Sequence, residues 1–177
     1  MSDATEEKRK EGFQFKDAGN NHFKAGDFEQ ALKQYYYALL HLRGLNDNPM
    51  GLSMAKDPQD MKEEDVTEHN KELSNIYSNM AMCQMRLGKY DRVISNANEA
   101  LKSNPFNKKA KFKLAQGLIR EGSVVKATNI LDELEKDNPN DPAFAAERRN
   151  IALKDKEADV KQRKDLAGMF SRGTIEK

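Results

Sequence analysis

Helix-ending residues recur at a fixed interval along this chain. Gly88 and Gly122 lie 34 residues apart, and so do Pro105 and Pro139. Around the first of each pair, Ile76 to Pro105 reads as two short helices folded back on each other. The first ends at Gly88 and the second closes at Pro105. Ile76, Tyr77, Met80, Ala81 and Met85, then Val93, Ile94, Ala97, Ala100 and Leu101, recur at helical spacing. A pair this short cannot bury its own apolar face, so it requires copies of itself on both sides. Lys109 to Pro139 supplies one, with a helix to Arg120, a turn at Glu121, Gly122 and Ser123, and a second helix turning Ala127, Leu131 and Leu134 inward. Phe15 to Arg43 supplies the other, with Gly26 in the turn and Gly19, Ala31, Tyr35 and Ala38 at close-packing positions. Gly26 and Gly88 are 62 residues apart, 28 more than one period, so an insertion separates the first two copies.

A helix–turn–helix repeating every 34 residues resembles the tetratricopeptide repeat, over roughly Phe15 to Pro139. The copies depart from that pattern in having no Trp, Lys111 where a large aromatic is usual, and Val93 and Leu134 where Ala is usual. The resemblance implies an all-α fold. It would be a right-handed superhelical solenoid of three helix–turn–helix repeats, about 12–43, 74–105 and 108–139, closed by a long C-terminal capping helix over about 141–170. A single domain over 7–171 is expected, with a flexible N-terminus over 1–6, an insertion over 44–73 and a tail over 171–177.

Composition agrees with a helical repeat. Of 177 residues, 33% are charged and 7% aromatic, which suits a soluble helical chain better than a β-sandwich. The net charge of +1 exerts no global pull toward nucleic acid or a membrane surface. Cys83 is the single cysteine, which excludes an intramolecular disulfide, and it reads as a small buried hydrophobe. No apolar run reaches the length of a membrane span, and Met1 to Glu7 is too polar for a secretory signal. A cytoplasmic monomer without a cofactor is expected.

Local signals set the element boundaries. The first helix should start near Thr5 or Glu6 and run to Lys24, and the second should run from a cap at Asp27 to Leu42 or Arg43. Gly44, Asn46, Asp47, Asn48, Pro49, Gly51 and Pro58 mark a loop, in which Leu45, Met50, Leu52 and Met54 could pack on the first repeat. The acidic tract from Lys62 to Asp65 reads as the start of a third helix reaching Leu87. After Pro139, Ala143, Phe144 and Ile151 could cover the last repeat. Lys154 to Lys164 alternates charge and reads as a solvated helix projecting beyond the fold.

Catalytic patterns are missing. His22, His41 and His69 sit on separate elements at no metal spacing, and neither a Gly-rich phosphate loop nor a nucleophile elbow occurs. The informative residues are polar ones on the first helix of each copy. Lys16 and Asn20 are four apart, Asn79 holds a matching position in the second copy, and Lys109 and Lys113 are again four apart in the third. All five should face one concave groove. Convergent ammonium groups, with amides that donate hydrogen bonds without cancelling charge, suit a pair of adjacent carboxylates.

These five resemble the two-carboxylate clamp of chaperone-binding tetratricopeptide domains. Lys16, Asn20, Asn79 and Lys109 match that pattern outright, and Lys113 stands where Arg is usual. The resemblance implies a non-enzymatic co-chaperone or adaptor. Its partner would be the C-terminal peptide of a heat-shock protein 90 or 70 chaperone, ending in Glu-Glu-Val-Asp, and a further client protein could join. The insertion, the stretch from Tyr35 to Leu45 and the closing Leu166 to Phe170 also resemble the tetratricopeptide half of FK506-binding immunophilins and the small proteins grouped as tetratricopeptide repeat protein nine. With about 14 residues before the first repeat, no isomerase domain is expected. A scaffold acting through its insertion, convex face or last helix is the alternative. Nucleic-acid contact by Arg148, Arg149, Lys154, Lys156, Lys161, Arg163 and Lys164 is disfavoured by the acids between them.

Overall fold

The computed structural model describes residues 3–45 and 61–173. Over these it forms seven α-helices and one 3₁₀ turn, with no strand among the described residues. Helices α1 (Asp3–Lys24) and α2 (Phe28–Leu42) form the first hairpin, α3 (Glu68–Arg86) and α4 (Tyr90–Ser103) the second, and α5 (Lys108–Glu121) and α6 (Val124–Asp137) the third. Helix α7 (Pro142–Gly173) packs against α5 and α6. Successive hairpins stack through α2 on α3 and α4 on α5, and the first helices of the second and third hairpins also touch. The result is an all-α solenoid whose core is shared between neighbours, as stacked repeats require.

Each hairpin turns at the expected glycine. Gly26, Gly88 and Gly122 have φ of 82°, 71° and 97°, and they are the positive-φ residues among those described. A Cβ at any of the three would meet nothing within 4 Å. Glycine is needed there for its left-handed backbone, not for space. Gly19 answers a different demand. A Cβ on it would lie 2.7 Å from the Tyr35 ring, so the α1 backbone packs directly against that ring of α2.

Packing follows the apolar periodicity. Ala31, Tyr35, Ala38, Leu39, Leu42, Leu73, Ile76 and Tyr77 form one buried cluster across the first two hairpins. Ala115, Leu118, Ile119, Ala127, Leu131 and Leu134 form another in the third hairpin, closed by Phe144 and Ile151 of α7. Between them Ala81, Val93 and Ala97 fill the second hairpin. One polar joint fixes the stacking. The Ser74 hydroxyl, fully buried, donates to the Ala100 carbonyl at 2.8 Å and accepts from Asn107 Nδ2 at 2.8 Å, tying α3 to α4 and to the cap of α5. Cys83 is fully buried, and burial pushes its thiol up to about 12.

Several boundaries differ from expectation. Helix α1 begins at Asp3, so residues 3–6, expected to be loose, are helical, with Asp3 and Glu6 at the positive end of the helix dipole. Lys62 to Asp65 does not start the third helix. It makes a single 3₁₀ turn, Glu63–Asp65, closed by Lys62 N–H donating to Asp65 Oδ2 at 2.9 Å. Val66 is then extended and buried, and Thr67 caps α3 by accepting from Asn70 N at 3.2 Å. Helix α7 runs to Gly173, past the expected end at 170. Phe144 and Ile151 cover the last repeat, but Ala143 is exposed and the buried residue between them is Glu147. Leu45 packs on the first cluster. Met50, Leu52 and Met54, the side chain of Phe170 and the tail over 174–177 lie outside the described residues.

Candidate functional site

The inner face is laid out by the repeat register. Asn20 sits late on α1, Asn79 midway along α3 and Lys109 at the start of α5. Their side chains connect. Lys109 Nζ donates to Asn79 Oδ1 at 3.0 Å, and Asn79 Nδ2 donates to Asn20 Oδ1 at 3.3 Å. Asn20 Oδ1 also accepts from the Tyr35 hydroxyl at 2.8 Å. With Oδ1 accepting twice, the Asn20 NH2 is left to donate to a ligand. Tyr35 is 1% exposed, and burial pushes its hydroxyl up to about 12, so it remains a donor throughout the physiological range.

These residues bound a hollow of about 320 Å³, lined by Asn20, Phe23, Lys24, Tyr35, Asn79, Met82 and Lys109. Its wall is mixed. Phe23 and Met82 contribute apolar surface, Lys24 and Lys109 positive charge, and the two asparagines directional donors. Phe23 follows Asn20 by three residues and Met82 follows Asn79 by three, so one helical face carries each amide and its apolar neighbour.

Lys16 and Lys113 are not among the residues lining this hollow. Lys16 Nζ is 2.8 Å from Glu72 Oε2 on α3 and sits 5.3 Å from the centre of the Phe13 ring. Lys113 is 7% exposed, donates to Gln116 Oε1 at 2.8 Å and lies 5.2 Å from the Phe112 ring centre. Gln116 in turn donates to Glu147 Oε1 at 2.7 Å, and Glu147 is also held by Arg120 at 3.3 Å and Asn150 at 2.8 Å. Glu147 of α7 thus fixes the group that the Lys113 ammonium bonds. Burial, then the Lys109 charge, hold the Lys113 ammonium below the usual lysine range. The groove therefore has a connected centre of Asn20, Asn79 and Lys109, and two flanking lysines held by internal partners.

The repeat positions do not show Tyr35, Phe23 and Met82 as groove residues, or Glu72, Gln116 and Glu147 as groups that hold the flanking lysines. Phe23 and Met82 could have been found from their spacing to the asparagines. The pairings of Glu72 and Glu147 cross between helices and leave no local signal. His41 Nδ1 lies 3.0 Å from Glu11 Oε2, while His22 is half-exposed beside Asp27. Among the described residues no group of three or more His, Cys, Asp or Glu could hold a metal ion, and no helix is long and apolar enough to cross a membrane. Arg148 is engaged by Asp132 and Glu135, which ties α7 to α6.

Comparison with known proteins agrees with this architecture. The tetratricopeptide repeat family model matches residues 84–151. The chain is 28% identical over 163 residues to peptidyl-prolyl cis-trans isomerase D of Kluyveromyces lactis, covering 88% of this chain and 40% of that protein. The chain thus spans about two fifths of the length of the curated relatives it matches. Among solved structures, the C-terminal tetratricopeptide-containing domain of a Plasmodium falciparum FK506-binding protein superposes with a TM-score of 0.68 at 23% identity, over 90% of this chain and 95% of that one. The first tetratricopeptide domain of Spaghetti (RPAP3), bound to the HSP90 peptide SRMEEVD, superposes with a TM-score of 0.60 at 17% identity, over 82% and 95% of the two chains. Residues 84–151 thus match the tetratricopeptide repeat in sequence, and the described residues share the fold of the tetratricopeptide structures.

Proposed function

We propose that this single repeat domain is a non-enzymatic, cytoplasmic co-chaperone module, whose groove binds the C-terminal carboxylates of a heat-shock protein 90 or 70 chaperone. The observation that carries this reading is the connected set of Lys109, Asn79 and Asn20, one residue from each hairpin's first helix, around a single hollow. A terminal Asp offers two carboxylates. Lys109 would supply charge to them and the Asn20 amide a directed donor, with Lys16 and Lys113 closing from either side once released from their internal partners. The preceding Val suits the apolar wall of Phe23 and Met82. Similarity to the RPAP3 domain adds support, since that protein holds a peptide ending in the same four residues.

The direct test is calorimetric titration with a Glu-Glu-Val-Asp peptide as free acid and as C-terminal amide. The free acid is expected to bind with micromolar affinity, about −8 kcal/mol. The amide is expected to bind at least about tenfold more weakly, because one charge-assisted contact is lost. Equal affinities would sink the carboxylate reading.

Lys113 makes the interaction pH-sensitive on the alkaline side. Its pKa in the free protein is lowered, chiefly by burial, with the Lys109 charge adding to this. A carboxylate ligand favours the charged ammonium, so affinity is full below that pKa and declines as pH rises through it. The decline begins below the ordinary lysine value of about 10.4. Titrations carried through the lysine range should show it, and Lys113→Arg should move the decline to higher pH, because a guanidinium stays charged. A wild-type profile that coincides with that of Lys113→Arg would exclude Lys113 from the contact.

A further inference from the structure

We propose that Glu72 is an internal competitor for the ligand carboxylate at Lys16, and so sets the affinity of the groove. The inference rests on the carboxylate-binding reading above and names a residue which that reading does not use.

Lys16 on α1 and Glu72 on α3 meet at 2.8 Å, in a contact spanning 56 residues of sequence. Their side chains are 22% and 31% exposed, so solvent screens the pair only in part. Glu72 precedes Asn79 by seven residues. That is two helical turns, which places both on one face of α3, about 10 Å apart along the axis. Glu72 nevertheless lines a separate hollow of about 360 Å³, together with Arg9, Phe13, Leu42, Glu68 and His69. The ammonium of Lys16 is therefore drawn toward that second hollow and away from the one bounded by Asn20, Asn79 and Lys109.

A ligand carboxylate that reaches Lys16 meets a cation already satisfied by a group of the same chemistry. It must displace Glu72 or share Lys16 with it, and the displaced Glu72 then repels an acidic ligand at close range. Lys109 carries no such handicap, since its groove partner Asn79 is a neutral amide. Glu72 thus weakens the outer contact and leaves the central one intact.

The experiment compares wild type, Glu72→Gln, Lys16→Ala and the double variant, each titrated with the free-acid Glu-Glu-Val-Asp peptide. Glu72→Gln keeps the side-chain shape at a half-exposed position. It should tighten binding about threefold, the range that a partly screened ion pair supplies. In the Lys16→Ala background the same change should give less than half that gain, because the competition is gone and only the long-range charge remains. In the free protein, acylation of Lys16 by an amine-reactive ester should be faster in Glu72→Gln than in wild type. Unchanged or weaker peptide binding by Glu72→Gln, in a wild-type protein that binds through Lys109, would overturn this proposal alone and would make Glu72 a positioning residue or a bystander. Absence of any Lys109-dependent binding by wild type would overturn the carboxylate reading and this proposal with it.

Discussion

Lys109→Glu is expected to lower affinity for the free-acid Glu-Glu-Val-Asp peptide by more than about a hundredfold, while the fold is unchanged. Lys109 is exposed at the first turn of α5, and its ammonium rests on Asn79 Oδ1 at 3.0 Å, so no core contact depends on it. Reversal removes one charge-assisted contact and places a carboxylate where the ligand's own must sit. Losing one partner of a desolvated charge pair costs about 2–5 kcal/mol, and repulsion adds to that. Asn79→Ala should cost less, about tenfold to a hundredfold, because it removes a neutral donor and the link between Lys109 and Asn20. Helical content and thermal midpoint, measured alongside, should stay close to wild type. A Lys109→Glu protein that binds the peptide normally would place the ligand elsewhere on the solenoid.

This central trio was legible in the sequence because repeats convert spacing into position. Once Gly26, Gly88 and Gly122 fix the turns, every residue on a first helix has a known face, and Asn20, Asn79 and Lys109 fall on the inner one. The turns themselves were legible because a left-handed backbone is a local demand that glycine meets without strain. The start of α3 was misread for the opposite reason. The acidic run at Glu63 to Asp65 is a good helix opening in isolation, yet Val66 is drawn into the interior in an extended conformation and leaves the capping to Thr67. Burial of one valine by tertiary packing outweighed a local propensity of a few tenths of a kcal/mol per residue.

The flanking lysines show the same limit at the site. Register put Lys16 and Lys113 on the inner side of their helices, but register does not say what a long side chain touches. Glu72 reaches Lys16 from another hairpin, and Glu147 of α7 holds Gln116, the partner of Lys113. Glu147 is 4% exposed, between the Phe144 and Ile151 that cover the last repeat. It is tolerated there because three donors satisfy it, a fact that belongs to the contact between α5 and α7 and to neither sequence alone.

Tyr35 is where fold and site depend on the same side chain, and its replacement should separate them. Its ring fills the first cluster at 1% exposure and lies against Gly19, where a Cβ would be 2.7 Å away. Its hydroxyl sets the orientation of Asn20. Tyr35→Ala deletes the ring that fills the space between the α1 backbone at Gly19 and α2, and leaves a cavity there. The expected loss is about 3–5 kcal/mol, read as a lower urea midpoint. In a solenoid each unit leans on its neighbour, so the first hairpin should detach before the rest. Tyr35→Phe keeps the ring and removes one hydrogen bond, so stability should fall by only about 1 kcal/mol. Peptide affinity should still drop, because Asn20 Oδ1 loses one of its two donors and the amide is free to rotate its NH2 away from the ligand. A Tyr35→Phe protein that binds as tightly as wild type would show that Asn79 alone holds Asn20 in place. A Tyr35→Ala protein with an unchanged midpoint would mean that the ring is not what joins α1 to α2.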